Sequence, residues 1–297
     1  MKRFYYRCLF LIAALSSLTG CSVSDLSTDN QSEEITGNRN FYATIEGNDN
    51  ATKVYFDEEI RLRWNEEDLI TVFDGTTRNK KYIFLGKDGD NCGEFDWVKS
   101  GFGAGNDINC NCAVYPYAST TRCVETNSGD ITYIKYNLSA TQVYKEKSAG
   151  KDANVMVAVT ANDEDTDLKF KNVCSYLCVK LYGAAQKVGS IVFQGNNNEA
   201  ITGEAAIVPV YGGEPSLSVN GTGTTITLEC EEGVTVGTTK EDATEFWIVV
   251  PPLTYSEGYK VTVNGYNGGS QTFVISGSRN FVRNKYNTLT RELTVGN

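Results

Sequence analysis

The sequence predicts an all-β protein, two antiparallel β-sandwiches in tandem behind an export signal and a polar tether. Three observations carry this. Tyr and Phe number 17 and 13, Gly 28 and Pro only 5, a mix that favours strands divided by turns over helices. Short segments alternate apolar and polar residues, the period of a strand with one face on a core. No run with helical periodicity extends beyond roughly ten residues.

The order begins with residues 1–20, which read as a secretory signal. Lys2, Arg3 and Arg7 precede an apolar run from Leu9 to Leu15, shorter than the about 20 residues a spanning helix needs. Leu18-Thr19-Gly20-Cys21 resembles the lipobox of bacterial lipoproteins. That resemblance implies cleavage between Gly20 and Cys21 and lipid, such as palmitate, on the Cys21 thiol. Multiple acyl chains there would anchor the protein without a spanning helix. Residues 21–40 are polar and acidic with almost nothing to bury, hence a tether. Asp25 and Glu33-Glu34 loosely resemble the acidic surface-export signal of some gut and oral bacteria.

From Phe41 onward strands are expected at Phe41–Ile45, Arg61–Trp64, Leu69–Phe73, Tyr82–Leu85, Ala113–Tyr115, Ile131–Leu138 and Val155–Val159. The acidic run Asn162–Asp167 is read as the boundary between domains at 41–164 and 165–297. The second half continues with Phe170–Tyr182, Ser190–Gln194, Thr224–Glu229, Phe246–Val250, Lys260–Val263 and Gln271–Ile275. Asn264-Gly265 and Asn267-Gly268 supply residues that tolerate the positive φ of hairpin turns.

Composition restricts the chemistry. The formal charge is -10, and it becomes more negative once Lys2, Arg3 and Arg7 leave, which argues against nucleic acid as a partner. There is no histidine, so Ser-His and Cys-His nucleophile systems and His-ligated metals are excluded. Carboxylate-only chemistry such as glycoside hydrolysis is not removed, but no paired-carboxylate motif is recognisable, so a hydrolase ranks low and no catalytic residue or cofactor is assigned. Asp88-Gly89-Asp90-Asn91-Cys92-Gly93-Glu94 departs from an EF-hand loop at Cys92 and lacks the spaced Glu, so it is read as a solvated turn and no metal site is assigned. Of nine cysteines, Cys8 leaves with the signal and Cys21 takes lipid. The remaining seven are read as mostly free and buried. Cys110 and Cys112 would stand roughly 6.6 Å apart in a strand, poor disulfide geometry. Cys92 with Cys110, Cys112 or Cys123 is the pairing to test.

Several segments in order resemble fimbrillin-type lipoproteins of Bacteroidales. They are Phe41–Glu46, Leu62–Phe73, Val114-Tyr115-Pro116-Tyr117, Leu138–Gln142, Val155–Ala158, Phe170–Cys174 and Phe246–Pro252. The resemblance spans about residues 41 to 295 and implies two transthyretin-like sandwiches. It further implies a non-enzymatic structural, tip or anchor subunit of pili (fimbriae) at the outer membrane and cell surface, serving adhesion to a host protein or glycan. Members of the family assemble by strand exchange with other pilin subunits, after an arginine-specific protease removes an N-terminal segment with its first strand. Arg39, between tether and Phe41, is the best-placed arginine for processing, with a plain linker residue as the other reading. A cut there would remove tether and lipid but no strand; Arg61 is the next arginine. At the C-terminus Leu289, Leu293 and Val295 share a face and form a candidate donor strand. The other reading is the last strand of the second sandwich, favoured by Arg291, a costly residue in a closed groove. A surface glycan-binding lipoprotein is the alternative function, suggested by the acidic tether and the abundant aromatics.

Overall fold

The computed structural model describes residues 39–47, 62–99, 104–150, 152–184 and 186–294. The described residues contain strands and no helix. The signal, Cys21 and the tether up to residue 38 lie outside them.

The first five strands are β1 (Phe41–Ile45), β2 (Leu69–Phe73), β3 (Lys80–Phe84), β4 (Cys92–Val98) and β5 (Cys112–Tyr115). An excursion follows, β6 (Arg122–Glu125), β7 (Ile131–Leu138) and β8 (Thr141–Val143), before the chain returns with β9 (Met156–Val159) and β10 (Asp167–Asn172). The strands β1-β10-β9-β5-β2-β3-β4 close into a seven-stranded barrel. Closure leaves no open edge in this sheet. The acidic segment Asn162–Asp167 thus joins two barrel strands. Its backbone is held by Asn111, whose side-chain amide donates to the carbonyls of Asp163 at 3.0 Å and Asp165 at 2.7 Å.

Six of the seven barrel strands place their alternate apolar residues inward, and β4 adds Phe95. Trp64 fills the centre. Its ring lies 5.1–5.8 Å from those of Phe84, Phe95, Tyr115 and Phe170. The strand expected at Arg61–Trp64 is absent from the described part, Leu62–Trp64. The Trp64 backbone pairs instead with the β3–β4 turn, through Trp64 N to Asp90 O at 2.8 Å and Gly89 N to Trp64 O at 2.9 Å.

The remaining strands are β11 (Ser175–Tyr182), β12 (Lys187–Gly195), β13 (Gly203–Val208), β14 (Ser216–Val219), β15 (Thr225–Thr235), β16 (Thr244–Val250), β17 (Thr254–Tyr255), β18 (Gly258–Gly265), β19 (Ser270–Ser276), β20 (Arg279–Asn280) and β21 (Tyr286–Glu292). They form sheets ordered β16-β11-β21, β19-β18-β12-β15-β8 and β14-β13-β7-β6, with β17 and β20 as a short pair. The first two share a core in which Leu177, Val179 and Phe246 meet Ile191, Phe193 and Val261. A further core joins Val114 and Val157 on the outer barrel surface to Ile134, Ile207, Tyr176 and Trp247. β11 is therefore buried on both faces, since Leu177 enters one core and Tyr176 the other.

The sequence led to purely antiparallel sandwiches. Among the described residues three strand pairings are parallel instead: β1 with β10, β8 with β15 and β11 with β21. In each, segments far apart in sequence meet, so no hairpin turn dictates the antiparallel sense. The expected strand Phe170–Tyr182 is broken between β10 and β11. There Asn172 turns the chain, accepting from Cys174 N and donating to Cys174 O, each at 3.1 Å.

Candidate functional site

The residues implicated by the sequence lie at the two ends of the chain. β1 is hydrogen-bonded on both edges, antiparallel to β4 from Phe41↔Phe95 to Thr44↔Cys92 and parallel to β10 from Tyr42↔Asp167 to Ile45↔Phe170. Phe41, Ala43 and Ile45 are 0, 0 and 3% exposed and face the barrel interior. Burial of Phe41 and Ile45 contributes roughly 1.5–3 kcal/mol each.

Arg39 stands just before this strand, outside any ladder and exposed. Its guanidinium donates to the Asp163 carbonyl and lies 3.8 Å from the Asp74 carboxylate. Lys80 grips the same carboxylate at 2.6 Å. A cut after Arg39 thus precedes β1 and leaves it in the barrel. Arg61 lies outside the described residues.

The far end of β1 is clamped to the C-terminal part of the chain. Glu46 Oε1 accepts from Arg283 and from Asn172 N, both at 2.6 Å. Arg283 also donates to Asn172 O at 2.7 Å and pairs with Glu214. Asn172 continues the network to the Tyr176 hydroxyl at 2.8 Å, and Tyr176 donates to Asn154 Oδ1 at 2.6 Å.

At the other terminus, β21 runs parallel to β11 along the edge of its sheet, from Tyr176↔Tyr286 to Tyr182↔Glu292. Leu289 and Leu293 lie in the core behind it, 4% and 1% exposed. Arg291 is exposed. Val295, Gly20 and Cys21 fall outside the described residues.

Cys92, Cys110, Cys112, Cys123, Cys174, Cys178 and Cys230 are free thiols. Burial pushes Cys110 up to about 11 and Cys123, Cys174, Cys178 and Cys230 up to about 12, so these groups are poor nucleophiles near neutrality. Among the described residues no three Asp, Glu, Cys or His side chains converge as a metal site would require. The carboxylates of the Asp88–Glu94 segment hold turns: Asp88 accepts from Glu66 N at 2.7 Å and Asp90 from Lys87 N at 2.8 Å.

One feature was not anticipated. A cleft of about 200 Å³ lies between the outer surface of β9 and β10 and the loop 209–215 that joins β13 to β14. The only sequence signal was that this loop carries Pro209 and Pro215, two of the chain's five prolines, around Tyr211-Gly212-Gly213.

No family model matches the chain, and no curated protein matches it significantly. Several solved structures are similar. A candidate cell adhesion protein from Bacteroides ovatus is 13% identical with a TM-score of 0.49, covering 85% of this chain and 91% of its own. One from Bacteroides uniformis is 18% identical with a TM-score of 0.46, covering 87% and 93%. A tip fimbrial protein from Porphyromonas gingivalis, truncated at its C-terminus, is 9% identical with a TM-score of 0.30, covering 85% and 94%. These neighbours are of the adhesion and fimbrial class that the sequence motifs resemble.

Proposed function

We propose that the chain is a non-enzymatic fimbrial or adhesin-type subunit at the cell surface, delivered as a lipoprotein through Cys21, in which β1 is the exchangeable strand. In this reading the barrel and the paired sheets beyond it are the two tandem sandwich-type domains of that family. The observation that carries the proposal is the position of β1. It is the first described strand, yet it is inserted between β4 and β10 with every inward residue apolar.

Removing β1 would open a groove with unpaired main-chain groups on both walls and apolar pockets at alternate positions. A strand from another subunit would fill both, which is β-augmentation. Release requires a cut beyond Ile45, and Arg61 is the arginine suited to it. A cut at Arg39 would only detach the lipid.

β21 makes a poor replacement for β1. Leu289, Arg291 and Leu293 would bring a guanidinium to the place of Ala43, a buried charge without a partner. Leaving its own sheet would also uncover the core around Leu289 and Leu293. The chain therefore accepts a strand while β21 stays in its own sheet, which suits a tip or anchor position better than a repeating one.

The test uses the secreted chain, an arginine-specific protease and a fluorescent peptide with the sequence of residues 40–47. Cleavage at Arg61 is expected to allow capture of the peptide as a complex stable in SDS without boiling. A peptide carrying Ala43→Arg is expected to fail. Cleavage confined to Arg39, or no capture after cleavage at Arg61, would refute strand exchange. Ladders formed by the cleaved chain alone would refute the end position.

A further inference from the structure

We propose that the cleft between β9–β10 and the loop 209–215 binds one neutral hexose unit of a glycan. This goes beyond the subunit reading and does not depend on strand exchange.

The cleft has an apolar floor and a mixed polar rim. Val157 and Val159 lie beneath it. Asp167 and Lys169 alternate outward along β10 while Leu168 and Phe170 between them point into the barrel. Lys171 ties the opposite wall in place: its ammonium donates to Gly213 O at 2.7 Å and lies 3.9 Å from Glu214. A turn from Gly213 N to Val210 O at 3.1 Å, with Gly212 at φ 67°, fixes the loop tip. The loop is thus held ready for a ligand, which lowers the cost of binding.

At that tip stands Tyr211, 63% exposed, the highest value among the exposed large apolar side chains described. An aromatic ring held out by a pinned loop beside a cleft offers a flat face to a ligand. Opposite it, no hydrogen bond among the described residues engages the Lys169 ammonium or the Asp167 carboxylate. Asp165 uses Oδ1 to accept from Asp167 N at 2.9 Å and keeps its other oxygen for a donor.

This arrangement selects its ligand by chemistry. A pyranose ring presents an apolar C–H face, which packs on an aromatic ring, and a rim of hydroxyls that both donate and accept. Carboxylates accept from such hydroxyls and an ammonium donates to them. A purely apolar ligand would desolvate the charged rim without replacing its hydrogen bonds. The lining carries two aspartates and two lysines, so its charges balance and neither an anionic nor a cationic ligand gains over a neutral one. The volume is below the roughly 300–1,000 Å³ of sites for drug-sized molecules, so it suits a single ring within a longer glycan.

Affinity electrophoresis of the full secreted chain through dextran, yeast mannan, galactomannan and polygalacturonate tests the proposal. At least one neutral polysaccharide is expected to retard the protein, and polygalacturonate is not. Tyr211→Ala and Asp167→Asn are each expected to weaken the retardation about tenfold, while Tyr266→Ala, at an exposed ring outside the cleft, leaves it unchanged. Matching circular dichroism spectra confirm that the variants are folded. No retardation by any neutral polysaccharide would overturn the proposal, as would undiminished retardation of Tyr211→Ala or stronger retardation by polygalacturonate. Asp167 also pairs with Tyr42 along β1, so Tyr211→Ala is the variant expected to leave peptide capture by the cleaved protein unaffected, and with it the two assays separate failure of the sugar site from failure of strand exchange.

Discussion

Replacing Trp64 with Ala removes the side chain at the centre of the barrel. Trp64 is 1% exposed and touches four aromatic rings contributed by β3, β4, β5 and β10. A buried Trp→Ala change costs about 3–5 kcal/mol through lost transfer energy and the cavity left behind. Three of the four ring contacts, those with Phe95, Tyr115 and Phe170, are edge-to-face and place this site at the upper end, because such pairs add about 0.5–1.5 kcal/mol each beyond their area and the surrounding strands are locked in a closed sheet. A loss of about 4–5 kcal/mol is a large share of the about 5–15 kcal/mol that stabilises an ordinary domain. Urea denaturation followed by tyrosine fluorescence and circular dichroism is the assay, with a fall in melting temperature of about 10 °C as a second readout. Trp64→Phe is expected to recover about half of the loss. A Trp64→Ala protein within about 1.5 kcal/mol of wild type would refute the view that this side chain organises the barrel.

Other predictions follow from the clamp and the thiols. Arg283→Ala leaves the Glu46 carboxylate and the Asn172 carbonyl without their shared donor. Side-chain exposures of 18% and 17% for Arg283 and Glu46 reduce the penalty of a fully buried pair, so about 2 kcal/mol is expected from urea midpoints. Stability should also fall as pH rises from about 9 towards 12. The buried thiols hold their protons more tightly when folded, at about 11 for Cys110 and about 12 for Cys123, Cys174, Cys178 and Cys230 against an ordinary 9.0. Their contribution is therefore complete below pH 9 and is lost as pH climbs through the folded values; denaturation midpoints that stay level from pH 9 to 11 would contradict this. In the native protein at pH 8 a thiol reagent should label the partly exposed Cys92 first, and the other six of these cysteines fully only after unfolding.

Local alternation made much of the fold legible. Phe41–Ile45, Leu69–Phe73 and Ile131–Leu138 were expected with the bounds they have, because each alternates cleanly or runs apolar between turn residues. β4 was overlooked because Cys92–Val98 follows a turn-rich segment and buries only Phe95 fully. β13 was overlooked because Ala205 and Ala206 give little contrast between its faces. The parallel pairings and the closure of the barrel rest on contacts between distant segments, which a local period does not encode. The same holds for the candidate sites. Arg39, Leu289 and Leu293 could be named from position and pattern, and Arg291 already favoured a last strand packed in its own half over a donor strand, but the parallel partner β11 could not be named. The cleft was hidden because a Pro- and Gly-rich loop reads only as a loop, and the Lys171 to Gly213 contact brings Tyr211 beside β10.

The central claim is that β1 leaves the barrel to admit another strand. Thr44 pairs with Cys92 across β1 and β4, and antiparallel partners stand about 4.5–5.5 Å apart at Cα, within disulfide reach. Thr44→Cys therefore provides a lock that can be closed by oxidation and opened by dithiothreitol. The measurement is capture of the fluorescent peptide of residues 40–47 by protease-cleaved Thr44→Cys protein in the two states. The account predicts capture when the protein is reduced and none when it is oxidised, with capture restored on adding reductant. Equal capture in both states, or none in the reduced protein, would contradict it.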